Sequence, residues 1–289
     1  MSDPSPTSVA APSLEELRAE AMAWGRRPRG RGAWYVTEHM VRAMRAYGWT
    51  IVVGALGQPI IYLLGLGLGL AALIQAPITD AAGQEVPYLV FVAPALLMTA
   101  GISVASEEFS YPVVAGFKWR RYFYGFNASP LSSRQIAAGV VLGAGARIVL
   151  AAAGYYLFIW IFGAVPDPST GWISILVGVL AGLAFGIPYM AYAASIEEDK
   201  GQFALVQRFV FMPMFLFSGT FYPLMSLPLW LQWIGWISPL WHATELGRML
   251  TYGQSEPLWL TVVHVVYLLV LSVGAAIIAG RIFERRLAK

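Results

Sequence analysis

The chain has 289 residues, of which 58% are hydrophobic and only 12% are charged. A soluble domain usually carries about 25% charged residues, so this composition excludes an ordinary soluble globular protein. The formal net charge is +3, and the basic residues are confined to short segments between long apolar stretches. That pattern is typical of membrane topology signals and argues against nucleic-acid binding. No cysteine is present, which excludes disulfides, thiolate catalysis and cysteine-ligated metals.

The first segment, residues 1–32, is polar and rich in proline and arginine. It lacks the apolar core of a signal peptide, so we expect no cleavable leader. Its low hydrophobicity predicts disorder, and we assign it as a disordered cytoplasmic N-terminus.

The next segment, residues 34–47, has apolar residues at helical spacing with charged residues between them. This pattern predicts an amphipathic helix that lies in the membrane interface. Two roles remain open for it, a simple anchor or an element that transmits movement.

Six stretches are apolar and long enough to cross a membrane. They run over residues 49–74, 87–106, 136–163, 172–195, 203–220 and 258–280. Backbone groups in lipid need internal hydrogen-bond partners, so these spans are expected to be helices and the fold all-α and polytopic. Prolines and aromatic residues break up the segment 221–257, which predicts short re-entrant or interfacial helices instead of a seventh span. Residues 282–289 are assigned as a cytoplasmic tail.

The orientation follows from the positive charges. Of the 19 lysines and arginines, all lie on one side of the six-span arrangement except Arg248, on the other side, and Arg147, inside the third span. This asymmetry predicts that both termini lie in the cytoplasm.

Several kinds of chemistry are missing from the sequence. There is no Walker A motif, and the run Gly65 to Leu70, GLGLGL, lies inside an apolar span where it indicates close helix packing. The histidines, His39, His242 and His264, have no metalloprotease context, and His264 is expected to be a hydrogen-bonded packing residue. No carboxylate lies near the middle of a predicted span, which disfavours ion-coupled carriers and intramembrane enzymes. We predict no catalytic residue, no metal site and no cofactor bound by this chain.

Arg147 is a strong charge roughly 11 residues into the third predicted span, and burying it is costly unless it is paired or hydrated. Glu107 and Glu108, at the end of the second span, are the expected partners. Either a structural ion pair or a head-group contact in a wet cavity would account for Arg147. Together with Tyr155 and Phe215 it marks a possible substrate path, and its charge favours an anionic head group.

Two motif regions support a family resemblance. A basic and aromatic segment after the second span leads to Ser129-Pro130-Leu131-Ser132, a turn and N-cap before the third span. After the fifth span come Ser218-Gly219, then Phe221-Tyr222-Pro223, Leu227-Pro228, Trp230, Pro239 and His242. From about Trp34 onward the chain resembles the transmembrane subunits of type-2 ABC exporters. Within them it is most similar to the nodulation-factor or lipooligosaccharide exporter branch and its actinobacterial multidrug and lipid relatives.

The resemblance implies an exporter permease whose transmembrane domain covers residues 33–281. Two cytoplasmic ATPase subunits would hold ATP and Mg²⁺, and a second permease chain, identical or related, would complete the pathway beside membrane lipids. No nucleic acid is expected as a partner. The substrate would be amphipathic or lipid-linked: a glycolipid, a lipooligosaccharide or a hydrophobic drug. A passive channel or a membrane scaffold is the alternative.

The resemblance also assigns residues to roles. The ATPase-coupling segment would contain Glu107, Glu108, Tyr111, Lys118, Trp119, Arg120, Arg121 and Tyr122. The external gate, made of the re-entrant helices, would contain Ser218, Gly219, Tyr222, Pro223, Pro228, Trp230, Pro239 and His242.

Overall fold

The computed structural model describes residues 12–70 and 77–289, and this part of the chain is almost entirely helical. The longer helices are labelled in chain order. They are α1 (Leu14–Gly30), α2 (Gly32–Met44), α3 (Gly48–Tyr62), α4 (Tyr88–Glu108), α5 (Ser133–Ile161), α6 (Ser174–Ser195), α7 (Gln202–Phe217), α8 (Pro239–Tyr252) and α9 (Leu258–Leu287).

Shorter helical pieces connect these helices. They are the 3₁₀ turns Arg45–Tyr47 and Leu224–Ser226, the π-helical stretches Leu63–Leu70, Ala115–Trp119 and Gln207–Phe211 (the last inside α7), and the short helices Tyr111–Val114, Tyr122–Asn127, Pro168–Gly171 and Leu229–Trp236.

The described residues depart from the all-α prediction only at one small hairpin. Strands β1 (Ile78–Thr79) and β2 (Glu85–Val86) pair antiparallel, with Ile78 opposite Val86. The Asp80 carboxylate closes the turn, because its Oδ1 accepts the N–H groups of Ala82 and Gln84, both at 2.9 Å.

Five helical stretches are long and apolar enough to cross a membrane. They are Gly32–Gly65, Tyr88–Trp119, Ser133–Ile161, Pro168–Ser195 and Leu258–Leu287. The predicted spans 87–106, 136–163 and 172–195 correspond to α4, α5 and α6, and the bounds of each helix differ from the prediction by three residues or fewer. The N-cap predicted before the third span is present at Ser132, where the structure shows a full capping box: Ser132 Oγ accepts the Gln135 N–H, and the Gln135 side chain accepts the Ser132 N–H.

Among the described residues, five helical stretches are long enough to cross a membrane, one fewer than the six spans predicted. The fifth, predicted over 203–220, is the shorter apolar helix α7, which stops at Phe217. It ends there because Gly219 adopts a φ of +76°, a left-handed conformation that reverses the chain. The end predicted for the first span, 71–74, lies outside the described residues.

The N-terminal segment differs from its prediction of disorder, because residues 14–30 form α1. A capping box begins this helix: the Glu16 N–H donates to Ser13 Oγ at 3.2 Å, and the Ser13 N–H donates to Glu16 Oε2 at 2.7 Å. The arrangement was visible in the sequence as serine followed three residues later by glutamate. Residues 1–11 lie outside the described part.

The amphipathic helix α2 packs against the first half of α5 and leads through Arg45–Tyr47 into α3. Thr37 Oγ1 donates to the Gly139 carbonyl at 3.3 Å. A Cβ on Gly139 would lie 2.5 Å from Cβ of Val36, so glycine is needed for this approach. Helix α2 is therefore also packed into the bundle. The prediction of an interfacial helix did not include this packing.

The last helix corrects another prediction. Residues 282–289 were expected to be a tail, but α9 continues to Leu287 and buries Phe283 and Leu287. The Asn127 amide donates to the Leu287 carbonyl at 3.4 Å, and the Arg286 guanidinium lies 4.3 Å from the Phe117 ring centre. The basic segments 115–121 and 281–289 therefore meet at one end of the bundle, called here the basic end.

Helix α4 lies at the centre of the bundle, since 16 of its 21 residues are buried. It contacts α6 through small residues. A Cβ on Gly101 would collide with the carbonyl oxygen of Gly178, and a Cβ on Gly182 would lie 2.7 Å from the carbonyl oxygen of Gly101. Such backbone-to-backbone approach is how membrane helices gain packing energy without a hydrophobic driving force between them.

This contact predicts that Gly101→Val destabilises the protein by about 1–3 kcal/mol or more, because the opposing atom is backbone and cannot move aside. The measurement is the temperature at which the detergent-solubilised monodisperse peak is lost in size-exclusion chromatography. Gly145→Val is the matched control, because a Cβ on Gly145 meets nothing within 4 Å. Equal losses in the two variants would contradict the prediction.

Candidate functional site

The predicted coupling residues divide into an exposed group and a buried group. Tyr111 and Trp119 are about half exposed and stack with ring centres 6.1 Å apart. Lys118, Arg120 and Arg121 are exposed beside them. Arg121 has a φ of 51°, an unfavourable conformation for a non-glycine residue, and it makes the corner between the π-helical stretch and the helix Tyr122–Asn127. The exposed group forms a continuous basic and aromatic surface at the basic end.

Tyr122 belongs to the interior side of this segment. Its Oη donates to the Pro112 carbonyl at 3.1 Å. Burial raises the pKa of Tyr122 to about 12, so the phenol stays neutral and keeps its proton for this hydrogen bond. Tyr122 therefore holds the corner against the short helix Tyr111–Val114 that follows α4.

Arg147 is paired with both predicted partners. Its Nη2 lies 2.7 Å from Glu107 Oε2, and its Nη1 forms an ion pair with Glu108 Oε1. Glu108 is only 5% exposed, so Arg147 supplies the cation that a buried carboxylate needs as a partner. The pairing links α5 to the last turn of α4, directly before the coupling segment.

A cavity of about 420 Å³ opens beside this ion cluster, between α3, α4 and α5. Its walls include Gly54, Ala100, Arg147 and Tyr155, together with Tyr62. The Tyr155 hydroxyl and Nε of Arg147 are buried without a hydrogen-bond partner among the described residues. Buried polar atoms are normally satisfied, so these two atoms could accept or donate hydrogen bonds to a polar ligand in the cavity.

Phe215, the third residue of the predicted substrate path, belongs to an aromatic row on α7. Its ring centre lies 6.5 Å from that of Tyr62, which lines the cavity, and 5.0 Å from that of Phe221. Arg147 and Tyr155 thus share one cavity, while Phe215 reaches it through Tyr62.

The charge of the cavity differs from the sequence-based expectation. Arg147 alone would favour an anionic head group, but its two carboxylate partners give the cluster a formal charge of −1. An anion would be repelled by this cluster, and a neutral, hydroxyl-bearing or cationic group would be favoured.

A second cavity, of about 830 Å³, lies between the end of α2 and the coupling segment. His39, Met44 and Tyr47 line one side, and Trp119 and Arg120 line the other. The amphipathic helix and the coupling segment are therefore neighbours at the basic end.

The predicted gate residues lie at the opposite end of the bundle, called the far end. Short helices begin after Pro223 and Pro228, and α8 begins at Pro239. Tyr222 Oη donates to the Leu216 carbonyl at 2.7 Å. Ser218 and Gly219 are buried, while Trp230 is 72% exposed. The segment contains short helices, as predicted, and α8 extends to Tyr252.

Sequence reasoning missed the buried group that organises the far end. Arg248 is 1% exposed, and its Nη1 lies 2.9 Å from Glu245 Oε1. Its Nε donates to the Phe91 carbonyl at 3.2 Å and its Nη2 to the Gly219 carbonyl at 2.7 Å. Gln254 donates to the other oxygen of Glu245. The charge pattern predicts a lone outer charge at Arg248, although an acid three residues earlier indicates a helical ion pair.

The two far-end histidines form a second buried contact. His242 Nε2 lies 3.0 Å from the Trp236 carbonyl, which requires a proton on that nitrogen. The Nδ1 atoms of His242 and His264 are 2.7 Å apart and share a hydrogen bond, and His264 Nε2 lies 3.3 Å from Glu256 Oε1. His264 is a buried, hydrogen-bonded packing residue, as predicted, and ties α9 to α8.

The coupling residues and the gate residues are not brought together. Phe91, which contacts Arg248, and Glu108, which pairs with Arg147, are about 26 Å apart along α4. The candidate site therefore consists of three separate regions: the coupling surface at the basic end, the cavity beside α4, and the predicted gate at the far end.

Comparison with known proteins gives a consistent result. The family described as "ABC-2 type transporter" matches residues 34–252. Nodulation protein J of Rhizobium leguminosarum bv. viciae is 26% identical over 242 residues, which cover 82% of this chain and 88% of the relative. Nodulation protein J of Bradyrhizobium diazoefficiens is 25% identical over 271 residues, covering 86% of this chain and 97% of the relative.

The Arg248 cluster predicts a specific pattern of stability. Arg248→Met leaves Glu245 buried without its cation and should cost about 3–5 kcal/mol. The double variant Glu245→Gln with Arg248→Met removes both charges and should recover part of that loss. Thermal unfolding in detergent measures both, with Arg285→Met, at an exposed position, as the control. A double variant no more stable than Arg248→Met would contradict the ion-pair interpretation.

Proposed function

This chain belongs to the ABC-2 type transporter family, and we propose that it is the permease subunit of an ATP-driven exporter for an amphipathic or lipid-linked substrate. The match over residues 34–252 carries this proposal, since it includes the coupling surface, the cavity and the far-end segment. The substrate would be a glycolipid, a lipooligosaccharide or a hydrophobic drug, taken from the cytoplasm or the inner leaflet.

Energy would come from a partner. We propose two cytoplasmic ABC ATPase subunits, which bind ATP and Mg²⁺, and a second permease chain. The exposed group Tyr111, Lys118, Trp119, Arg120 and Arg121 would contact the ATPase. Exposed aromatic and arginine side chains are suited to such an interface, where they can bury area and form ion pairs.

Movement at that surface could reach the transport path through short physical links. The Arg147 cluster joins the base of the coupling segment to α5 and lines the cavity. The cavity beside Tyr155 would hold the polar part of the substrate, and Tyr62 with the aromatic row of α7 would contact its apolar part.

The far-end segment would act as the external gate. Its glycine turn and prolines interrupt regular helix, and Arg248 fixes it against α4. The membrane would be a bacterial inner membrane. Both termini would lie in the cytoplasm, because most of the lysines and arginines lie in the segments predicted to be on that side.

The main test is ATP hydrolysis by the full chain co-purified with a candidate ABC ATPase subunit from the same genome. Arg120→Glu with Arg121→Glu should lower ATPase affinity by at least tenfold, because like charges at an interface are strongly unfavourable. Arg285→Glu with Lys289→Glu is the matched control, with one exposed basic residue near the end of α9 and one two residues beyond that end.

Two results would overturn this assignment. One is transport that is unaffected by nucleotide and by every candidate ATPase, which would favour a passive channel or scaffold. The other is an equal loss of ATPase binding in both charge-reversed variants, which would remove the coupling surface from the proposal.

The cavity has its own test. Gly54→Trp should lower substrate affinity roughly tenfold by filling the space next to Arg147, while leaving ATPase binding intact. Gly145→Trp is the control, since both glycines have open space around Cβ but Gly145 does not line the cavity. Substrate-stimulated ATP hydrolysis in proteoliposomes gives the readout, and equal behaviour of the two variants would exclude the cavity as the path.

A further inference from the structure

A groove of about 420 Å³ lies at the basic end between the first turns of α5 and the last turns of α9. Its walls are apolar, with Ala138 and Leu142 on α5, Ala276 and Ile277 on α9, and the buried Met190 of α6 between them. Leu142 and Ile277 are each about half exposed. The groove is therefore open on the outer surface of the helical bundle.

Charge is concentrated at one end of this groove, where Arg134 and Arg281 line it. Arg134 is held by a two-pronged contact with Glu284: Nε lies 2.7 Å from Oε1, and Nη2 lies 3.1 Å from Oε2. Arg281 forms no ion pair with any residue in 12–70 or 77–289. The three side chains together carry a formal charge of +1, and the free cation is Arg281.

The shape of the groove matches this charge distribution. From Arg134 to Leu142 it follows α5 for about 12 Å, from the basic end toward the middle of the helix. Exposed apolar side chains continue the same surface, including Val149 on α5 and Val273 on α9. In a membrane-spanning bundle such a surface faces lipid tails, so a long apolar chain would run from the charged end into the groove.

We propose that this groove binds one anionic phospholipid of the cytoplasmic leaflet. Its phosphate would contact Arg281 beside Arg134, and one acyl chain would lie along Ala138 and Leu142. Basic pockets between helices at this depth recognise anionic head groups, because a fixed cation meets the lipid charge at the interface. A zwitterionic lipid has no net charge to balance the +1 of the cluster, and a free anion would gain nothing from the apolar walls.

A lipid bound in this groove would lie next to the end of α9, which supports the coupling segment. The end of α9 is bonded to the helix Tyr122–Asn127, since Asn127 donates to the Leu287 carbonyl and Tyr124 Oη to the Arg286 carbonyl. A lipid between α5 and α9 would therefore brace the junction that supports the basic end.

The test uses the full chain in phosphatidylcholine nanodiscs that contain a small fraction of phosphatidylglycerol with a photoactivatable acyl chain. Mass spectrometry should find cross-links within residues 137–142 and 276–281, with far fewer from a photoactivatable phosphatidylcholine. Arg281→Gln should lower labelling by phosphatidylglycerol on the order of fivefold, the effect of one basic residue near the surface. Arg285→Gln, an exposed arginine on the same helix outside the groove, should leave it unchanged.

A steric variant separates the groove from general attraction to the basic end. Ala138→Trp should abolish the cross-links by filling the groove, whereas Val273→Trp, also exposed to lipid but outside the groove, should preserve them. Equal labelling by the two lipids, equal effects of the two glutamine variants, or no labelling because a second chain covers the groove would each overturn the proposal.

Discussion

A guanidinium group stays charged even inside an apolar bundle, so each N–H donor without a partner costs stability, and Arg248 shows how much structure this constraint organises. Its donors reach an acid on its own helix, the carbonyl of Phe91 on α4 and the carbonyl of the Gly219 turn. Three elements distant in sequence are therefore held at one point. The proline-broken far-end segment gains a defined position that its own short helices could not supply.

The same constraint acts at the other end of α4, where Arg147 pairs with Glu107 and Glu108. Between these two clusters α4 is buried, and Gly101 lets its backbone approach α6 closely. One buried helix, with an ion cluster near each end, therefore connects the basic end to the far end.

The two arginine clusters near the basic end differ in formal charge. The Arg147 cluster has one more acid than base and lines the internal cavity. The cluster of Arg134, Arg281 and Glu284 has one more base than acid and lines the lipid-facing groove. An anionic head group would therefore be attracted to the outside of the bundle and repelled from the cavity within it, as both proposals require.

The sequence by itself determined the membrane class, three of the spans, the Ser132 cap and the partners of Arg147, because hydrophobicity, capping and charge isolation act over short distances or leave few alternatives. The family resemblance followed from motifs at fixed positions. Only the tertiary structure decided that Arg248 is buried, that the cluster of Arg147 with its two glutamates has a net negative charge, and that Arg134 and Arg281 line one groove. These features depend on which distant helices meet, since a side chain's partners and burial are set by packing across the bundle.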